Sequence, residues 1–112
     1  MKYLLLIYEN EQRFAKGYDP AEFEAYGTFG AKHQAAIQGG HALQPTSTAA
    51  TVRVRNGKTQ TTDGPFAETK EQLGGYYLIE AADRAAAEKI AAEIPGARFG
   101  SIEVRPIMSF GD

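Results

Sequence analysis

The sequence predicts an α+β fold: a ferredoxin-like sandwich with an inserted β-hairpin. Three observations lead to this class. Two segments carry apolar residues on both parities, as in strands covered on both faces. Two helices begin at clear N-cap signals, and an Asn-Gly pair between two alternating segments predicts a hairpin. The elements follow the order strand, helix, hairpin, strand, helix, strand.

Composition narrows the class of protein. The 112 residues are enough for one core, so we expect a single domain over residues 1–112. A net charge of -2, with dispersed Lys and Arg, favours neither nucleic acid nor a membrane as partner. The chain has no cysteine, which excludes disulfides and thiolate chemistry and fits a cytoplasmic protein. The apolar run within Lys2–Tyr8 is too short to span a bilayer and predicts the first strand.

The first helix has a well-marked start. Asp19 is a natural N-cap, and Pro20 suits the first helical position. Glu22 is placed to reach back and complete a capping box. Tyr18 and Phe23 are spaced to form a hydrophobic staple around the cap. These signals together predict that the helix begins at residue 20.

Two adjacent glycines, Gly39 and Gly40, are typical of a helix end. We therefore expect the first helix to span Pro20–Gln38. Apolar and small residues recur along it at three- to four-residue spacing and predict its buried stripe: Phe23, Tyr26, Gly30 and Ile37. His41 follows the glycines and is predicted to lie in a loop.

The hairpin is predicted by Asn56-Gly57, a pair that favours a two-residue type I′ turn. Its strands are Thr51–Arg55 and Lys58–Thr62. In this register both valines of the first strand share one face with alternate residues of the second. If the second strand continues, Asp63 inherits the direction of that face, and an inward carboxylate needs partners.

Three further elements complete the fold. Leu73–Ala81 is apolar on both parities and predicts another central strand. Asp83 caps a second helix, which ends at Pro95-Gly96. Ser101–Ile107 is the final strand, where Pro106 limits pairing.

The two strands that are apolar on both faces need more cover than two helices on one sheet face supply. An open second face would expose a larger apolar patch than monomers usually tolerate. We therefore expect a homodimer in which two sheets pack face to face. The alternative is a monomer whose long loops, Glu9–Gly17 and Asp63–Gln72, fold over the open face.

Asp63 and His33 are the candidate catalytic residues. Asp63 is interpreted either as a turn residue bonded to the Gly64-Pro65 backbone or as a general base in a cleft between subunits. His33 is either a half-buried histidine bonded to a carbonyl or a proton shuttle. The histidine spacing supports no tight metal site, and nothing implies a cofactor.

The loop after Asp63 supplies candidate ligand-binding residues. Phe66 is expected to bury its ring and anchor the loop. Glu68 and Lys70 follow, either as a solvated ion pair or as groups presented to a ligand. Tyr26 and Tyr77 are expected to line the cleft between subunits.

Three sequence motifs resemble a known family. The stretch DGPFAETKEQLGGYYLIEA, with LQP at Leu43–Pro45 and EVRPIM at Glu103–Met108, is similar to the YCII-related domain family in its DGPF-motif branch. The resemblance implies a dimeric α+β barrel in a small bacterial protein, with occasional association with sigma-factor-like transcription regulators. It implies no substrate. The family's helix histidine falls near Thr28-Phe29 here, and His33 lies about one turn later.

Two functions remain open from the sequence. One is binding of an unknown small molecule in a cleft of the homodimer, with acid-base chemistry at Asp63 assisted by His33. The other is a non-catalytic interaction or regulatory module that docks a transcription-related partner. An enclosed polar-lined pocket favours the first, and an exposed apolar groove outside the dimer interface favours the second.

Overall fold

The structure is a computed structural model that describes residues 1–111. Within that part of the chain, β-strands and α-helices follow one another with short 3₁₀ turns between them. The elements are β1 (Lys2–Glu9), α1 (Pro20–Lys32), β2 (Ile37–Ala42), β3 (Ala50–Arg55), β4 (Lys58–Asp63), β5 (Gln72–Glu80), α2 (Arg84–Ala92) and β6 (Ser101–Pro106).

Four strands form one antiparallel sheet in the order β2-β5-β1-β6. Strands β3 and β4 form a separate two-stranded hairpin. The apolar core lies between α1, α2 and one face of the large sheet. Its buried residues are Tyr3, Leu5, Ile7, Phe29, Ile79, Ala87, Ala91 and Ile94. The strand order and the two helices on one face confirm the predicted ferredoxin-like α+β sandwich with an inserted hairpin.

The predicted end of the first helix is wrong. Helix α1 ends at Lys32, and the segment from Ile37 enters the sheet as the edge strand β2. A Cβ added to Gly40 would lie 2.6 Å from the carbonyl oxygen of Tyr76 and 3.0 Å from the ring of Tyr77. Gly40 therefore permits close packing in a strand and does not stop a helix. Ile37 reaches the core from β2, opposite Ile79.

The start of α1 is predicted correctly, but its capping box is not formed. Asp19 caps the helix by accepting a hydrogen bond from the backbone N–H of Ala21 at 2.9 Å. The carboxylate of Glu22 instead accepts hydrogen bonds from Arg13 Nη2, at 2.8 and 3.0 Å. The Glu22 carboxylate therefore binds Arg13 and not the backbone N–H of the N-cap, because a charged donor forms the stronger hydrogen bond.

The predicted staple and buried stripe of α1 are also wrong in part. Tyr18 packs on Phe14, with ring centroids 5.0 Å apart, and Phe23 is 79% exposed. Phe29 is the residue of α1 that is fully buried. Tyr26 is half-buried, as its position on the inner edge of the helix requires.

The hairpin forms in the predicted register. Asn56 and Gly57 have φ angles of 53° and 74°, as a type I′ turn requires. Val52 and Val54 are 61% and 60% exposed, so their face has no cover within one chain. Asp63 ends β4 opposite Ala50, on the face of the two valines as predicted, but it is exposed in the single chain and not inward.

The second half of the chain follows the prediction closely. Asp83 caps α2 by accepting from the N–H of Ala86 at 2.8 Å, and Ala87 and Ala91 of this helix are buried. Strand β6 pairs with β1 and places Ile102 and Val104 on the core side. None of the helices within residues 1–111 is long and apolar enough to cross a bilayer.

The sheet face opposite the helices is partly exposed. It carries apolar side chains from the two central strands: Leu4, Leu6, Tyr8, Leu73, Tyr76 and Leu78. The segment after β1 does not cover them, since Arg13 contacts Glu9 and Glu22 on the helix side. The homodimer therefore stays a prediction that this face motivates.

Candidate ligand-binding cavity

A cleft of about 770 Å³ opens where β1 ends. Its walls are the 3₁₀ turn Glu11–Phe14, the first two turns of α1 and the edge formed by β2 and β5. Six aromatic residues contribute to its lining: Phe14, Tyr18, Phe23, Tyr26, Tyr76 and Tyr77. This volume lies within the range of small-molecule sites in proteins. We call it the Glu9 cavity, after the buried acid in its lining.

Glu9 is the last residue of β1 and is only 7% exposed. Strand alternation places it on the core side, after Tyr3, Leu5 and Ile7. Among the described residues it has one side-chain hydrogen bond, in which Arg13 Nη2 donates to Glu9 Oε1 at 3.2 Å. Burial raises the pKa of this carboxyl, and Arg13 lowers it by less.

Arg13 is held over Glu9 by a local turn. The side chain of Asn10 accepts from the N–H of Gln12 at 2.9 Å and starts the 3₁₀ turn that returns Arg13 toward the sheet. The guanidinium lies 3.9 Å from the ring centroid of Phe99. Its Nη2 binds both Glu9 and Glu22. One guanidinium therefore serves two carboxylates.

Tyr26 adds a phenol beside the carboxylates, one helical turn after Glu22. Its hydroxyl oxygen accepts a hydrogen bond from the N–H of Gly96 at 3.2 Å. Burial first, and then the charge of Glu9, raise the pKa of Tyr26 well above its usual value. The phenol therefore stays protonated at neutral pH and keeps a hydrogen to donate.

Two glycines from the segment after α2 allow the backbone to approach this group. A Cβ at Gly96 would overlap Glu9 Oε1 and lie 2.8 Å from the Tyr26 hydroxyl. A Cβ at Gly100 would overlap the carbonyl oxygen of Tyr8 and lie 3.0 Å from Glu9 Cγ. Four separate parts of the chain thus position the buried acid and the phenol: β1, the 3₁₀ turn with Arg13, α1 and the segment after α2.

Sequence reasoning missed Glu9, Arg13 and Glu22. One signal for Glu9 was present: it continues the core-facing parity of β1 by one residue. A carboxylate in that register is buried if the strand continues, and it then needs partners. The two partners lie outside the strand and have no such signal.

Two of the predicted ligand-binding residues line the Glu9 cavity. They are Tyr26 and Tyr77, and the ring of Tyr77 packs against Phe29 with centroids 5.1 Å apart. Phe66, Glu68 and Lys70 are exposed and lie outside the lining. Phe66 is 79% exposed, so the expectation that it anchors its loop is wrong within one chain.

The structure places Asp63 and His33 on different elements, the hairpin and the end of α1. Asp63 lies at the base of the hairpin, where the N–H of Gly64 donates to the carbonyl of Ala49 at 2.7 Å and not to the aspartate. His33 ends α1, with Nε2 3.4 Å from Glu93 Oε1. Neither lines the cavity, and their catalytic roles stay predictions.

The surroundings of the two histidines differ from expectation. The ring of His33 packs on Phe29, with centroids 5.0 Å apart, and its side chain faces a carboxylate where a carbonyl was expected. The hydrogen bond from Lys32 is the main cause that lowers the pKa of Glu93, and His33 adds to it. His41 lies in β2 beside Tyr76 and lines the cavity, so its predicted loop position is wrong.

The chain matches the model of the YCII-related domain over residues 1–111. It belongs to the YCII-related domain family. An uncharacterised protein of Rhizobium meliloti (strain 1021) is 51% identical over 67 residues. That match covers 58% of this chain and 54% of the relative, so it spans about half of the relative's length.

A solved structure shares the YCII-related chain's fold. It is the 5-chloro-2-hydroxyhydroquinone dehydrochlorinase from Burkholderia phenoliruptrix AC1100, in complex with 2,5-dihydroxybenzoquinone. The two superpose with a TM-score of 0.58 and 14% sequence identity. The alignment covers 96% of this chain and 94% of the dehydrochlorinase. At this identity the likeness concerns the fold, which agrees with the predicted α+β sandwich.

Proposed function

We propose that this YCII-related protein binds a small organic molecule in the Glu9 cavity. The observation that carries the proposal is Glu9 itself: a carboxylate 7% exposed, with a single hydrogen-bond donor among the described residues, in the wall of a cleft of about 770 Å³. Burying such a group is unfavourable unless further partners compensate for lost hydration. A ligand that reaches Glu9 supplies such a partner.

The chemistry of the cavity suits acid-base work. Glu9 has a raised pKa, and the nearby phenol of Tyr26 stays protonated at neutral pH. We therefore assign proton exchange with a ligand to Glu9, and hydrogen-bond donation to a ligand to the Tyr26 phenol. A relative in fold, the dehydrochlorinase, is an enzyme solved with a small cyclic molecule, and that supports a ligand of this size here.

We further propose that the protein is a homodimer of the DGPF-motif branch, as the residues Asp63–Phe66 suggest. Its support is the partly exposed apolar sheet face, which includes Leu4, Leu6 and Tyr76. Asp63 does not line the cavity of its own chain. It can take part in chemistry there only if a second copy brings it in.

Binding in the cavity is tested by titrating a library of small aromatic fragments into ¹⁵N-labelled protein. Fragments are expected to shift the amide resonances of Gly40, His41 and Gly75, which lie in the cavity wall. Ala42→Trp fills the cavity mouth and should abolish these shifts. Ala50→Trp is the matched control, because Ala50 is also an exposed strand alanine but lies in the hairpin. Equal shifts in both variants would refute the proposed site.

A further inference from the structure

The charges that line the Glu9 cavity are all negative among the described residues. Four acids contribute to the lining: Glu9, Glu11, Asp19 and Glu22. No lysine or arginine of residues 1–111 does so. A wall of this sign attracts cations and repels anions.

Two of these acids are satisfied by neutral donors. Glu11 accepts from the N–H and the hydroxyl of Thr46, at 2.6 and 2.8 Å. Asp19 accepts from the N–H of Ala21 at the start of α1. Their hydrogen bonds fix their positions without neutralising them.

The other two acids share one cation. Arg13 lies 2.8 Å from Glu22 Oε1 and 3.2 Å from Glu9 Oε1, so its stronger contact is with Glu22. With both acids ionised, this group carries one net negative charge. The more deeply buried acid, Glu9, holds the weaker share of Arg13 and faces the cavity. One counter-charge is therefore missing on the cavity side.

The aromatic lining also favours a cation. The face of an aromatic ring attracts positive charge, and tyrosine and phenylalanine both act in this way. Arg13 already uses this interaction, since its guanidinium lies 4.6 Å from the ring of Phe14 and 3.9 Å from that of Phe99. Tyr26 and Tyr77 present rings of the same kind inside the cavity.

We propose that the ligand of the Glu9 cavity is an organic cation, an amine on an apolar body about the size of one aromatic ring. This inference rests on the proposed function. Its ammonium group binds the Glu9 carboxylate and completes the charge balance of Glu9, Glu22 and Arg13. Its apolar part packs among the tyrosine rings. A neutral or anionic ligand does not balance the net negative charge of Glu9, Glu22 and Arg13.

Three probes of similar shape separate charge from size: 2-phenylethylamine, 2-phenylethanol and phenylacetate. Each is titrated by NMR at neutral pH while the amides of Gly40 and Gly75 are followed. The amine should bind at least about tenfold more tightly than the alcohol, as expected for one charge-assisted hydrogen bond in a buried site. Phenylacetate should bind most weakly. Glu9→Gln should bring the amine to the level of the alcohol.

Glu24→Gln is the control for charge, because Glu24 is an exposed acid of α1 outside the cavity lining. It should leave the preference for the amine unchanged. If the alcohol or phenylacetate binds as tightly as the amine, the charge preference is wrong while binding in the cavity stands. If none of the probes shifts the cavity amides, the proposed function itself fails.

Discussion

Gly96 lies directly against the carboxylate of Glu9, so that a methyl group at position 96 would overlap Glu9 Oε1 and lie 2.8 Å from the hydroxyl of Tyr26. The same glycine donates its N–H to that hydroxyl at 3.2 Å. A turn far along the chain therefore sets the position of both groups. This relationship allows the geometry of the cavity to be tested without a ligand.

Gly96→Ala should displace Glu9 and Tyr26 and lower the free energy of unfolding by about 1 to 3 kcal/mol, the usual range for overpacking a buried site. Urea denaturation measures the change. Gly27→Ala is the control, since a Cβ at Gly27 in α1 meets nothing within 4 Å. It should stabilise the helix by about 1 kcal/mol. Equal stability of the two variants would contradict the close approach at Gly96.

Gly40→Ala tests strand β2 and the wall that it shares with Tyr77. The new Cβ would lie 2.6 Å from the backbone oxygen of Tyr76, and backbone cannot move aside cheaply. We expect a loss of stability of about 1 to 3 kcal/mol and weaker binding of cavity ligands. Gly39→Ala meets nothing within 4 Å and should be tolerated. If the residues formed a helix end, both changes would have similar effects.

The raised pKa of Glu9 makes stability depend on pH in a defined direction. A raised pKa in the folded state means that the protonated acid favours folding, and this contribution is lost as pH rises through the folded pKa. The groups that face Glu9 are Arg13, Glu22, Glu71 and Tyr26. Burial is the largest cause of the shift, so ionised Glu9 is a net destabilising group at neutral pH.

Glu9→Gln replaces the acid by a neutral side chain of the same shape. At pH 7 the variant should therefore be more stable than the wild type, by about 1.4 kcal/mol for each unit of the pKa rise. The difference should vanish below the ordinary pKa of 4.5. Thermal or urea unfolding across this range measures it, with Glu24→Gln, a change at an exposed acid of α1, as the control. A variant less stable at pH 7 would show that the ion pair with Arg13 outweighs burial.

The features of the fold that the sequence predicted are those set by residues close together in the chain. The hairpin register was predicted because Asn56-Gly57 sets the turn within two residues. The end of α1 was not, because a glycine pair is compatible both with a helix end and with close packing against a neighbouring ring, and only the contact with Tyr77 distinguishes them.

The candidate site shows the same limit. Tyr26 and Tyr77 were predicted to line a cleft between two subunits, and they line the Glu9 cavity of a single chain. Glu9 was missed because its partner Arg13 comes from a turn outside any regular element and its neighbour Gly96 from the far end of the chain. The direction of Asp63 depended on cover for the hairpin, which one chain does not supply.

The homodimer is tested by sedimentation of the wild type and of Leu6→Arg. Leu6 lies on the partly exposed sheet face between Tyr76 and Glu103. The wild type should sediment at twice the 12.2 kDa mass of one chain, and Leu6→Arg should shift it toward the monomer. Ala85→Arg on the exposed side of α2 should leave the mass unchanged. A wild type that sediments as one chain would overturn the dimer.

Ligand binding at Glu9 is tested most directly by a crystal structure of the protein soaked with small amines. The expected result is density in the cleft between Glu9 and Tyr77, with an amine nitrogen within hydrogen-bonding distance of the Glu9 carboxylate. Density confined to the surface around Asp63 and Lys70, with the Glu9 cavity empty in every soak, would contradict it.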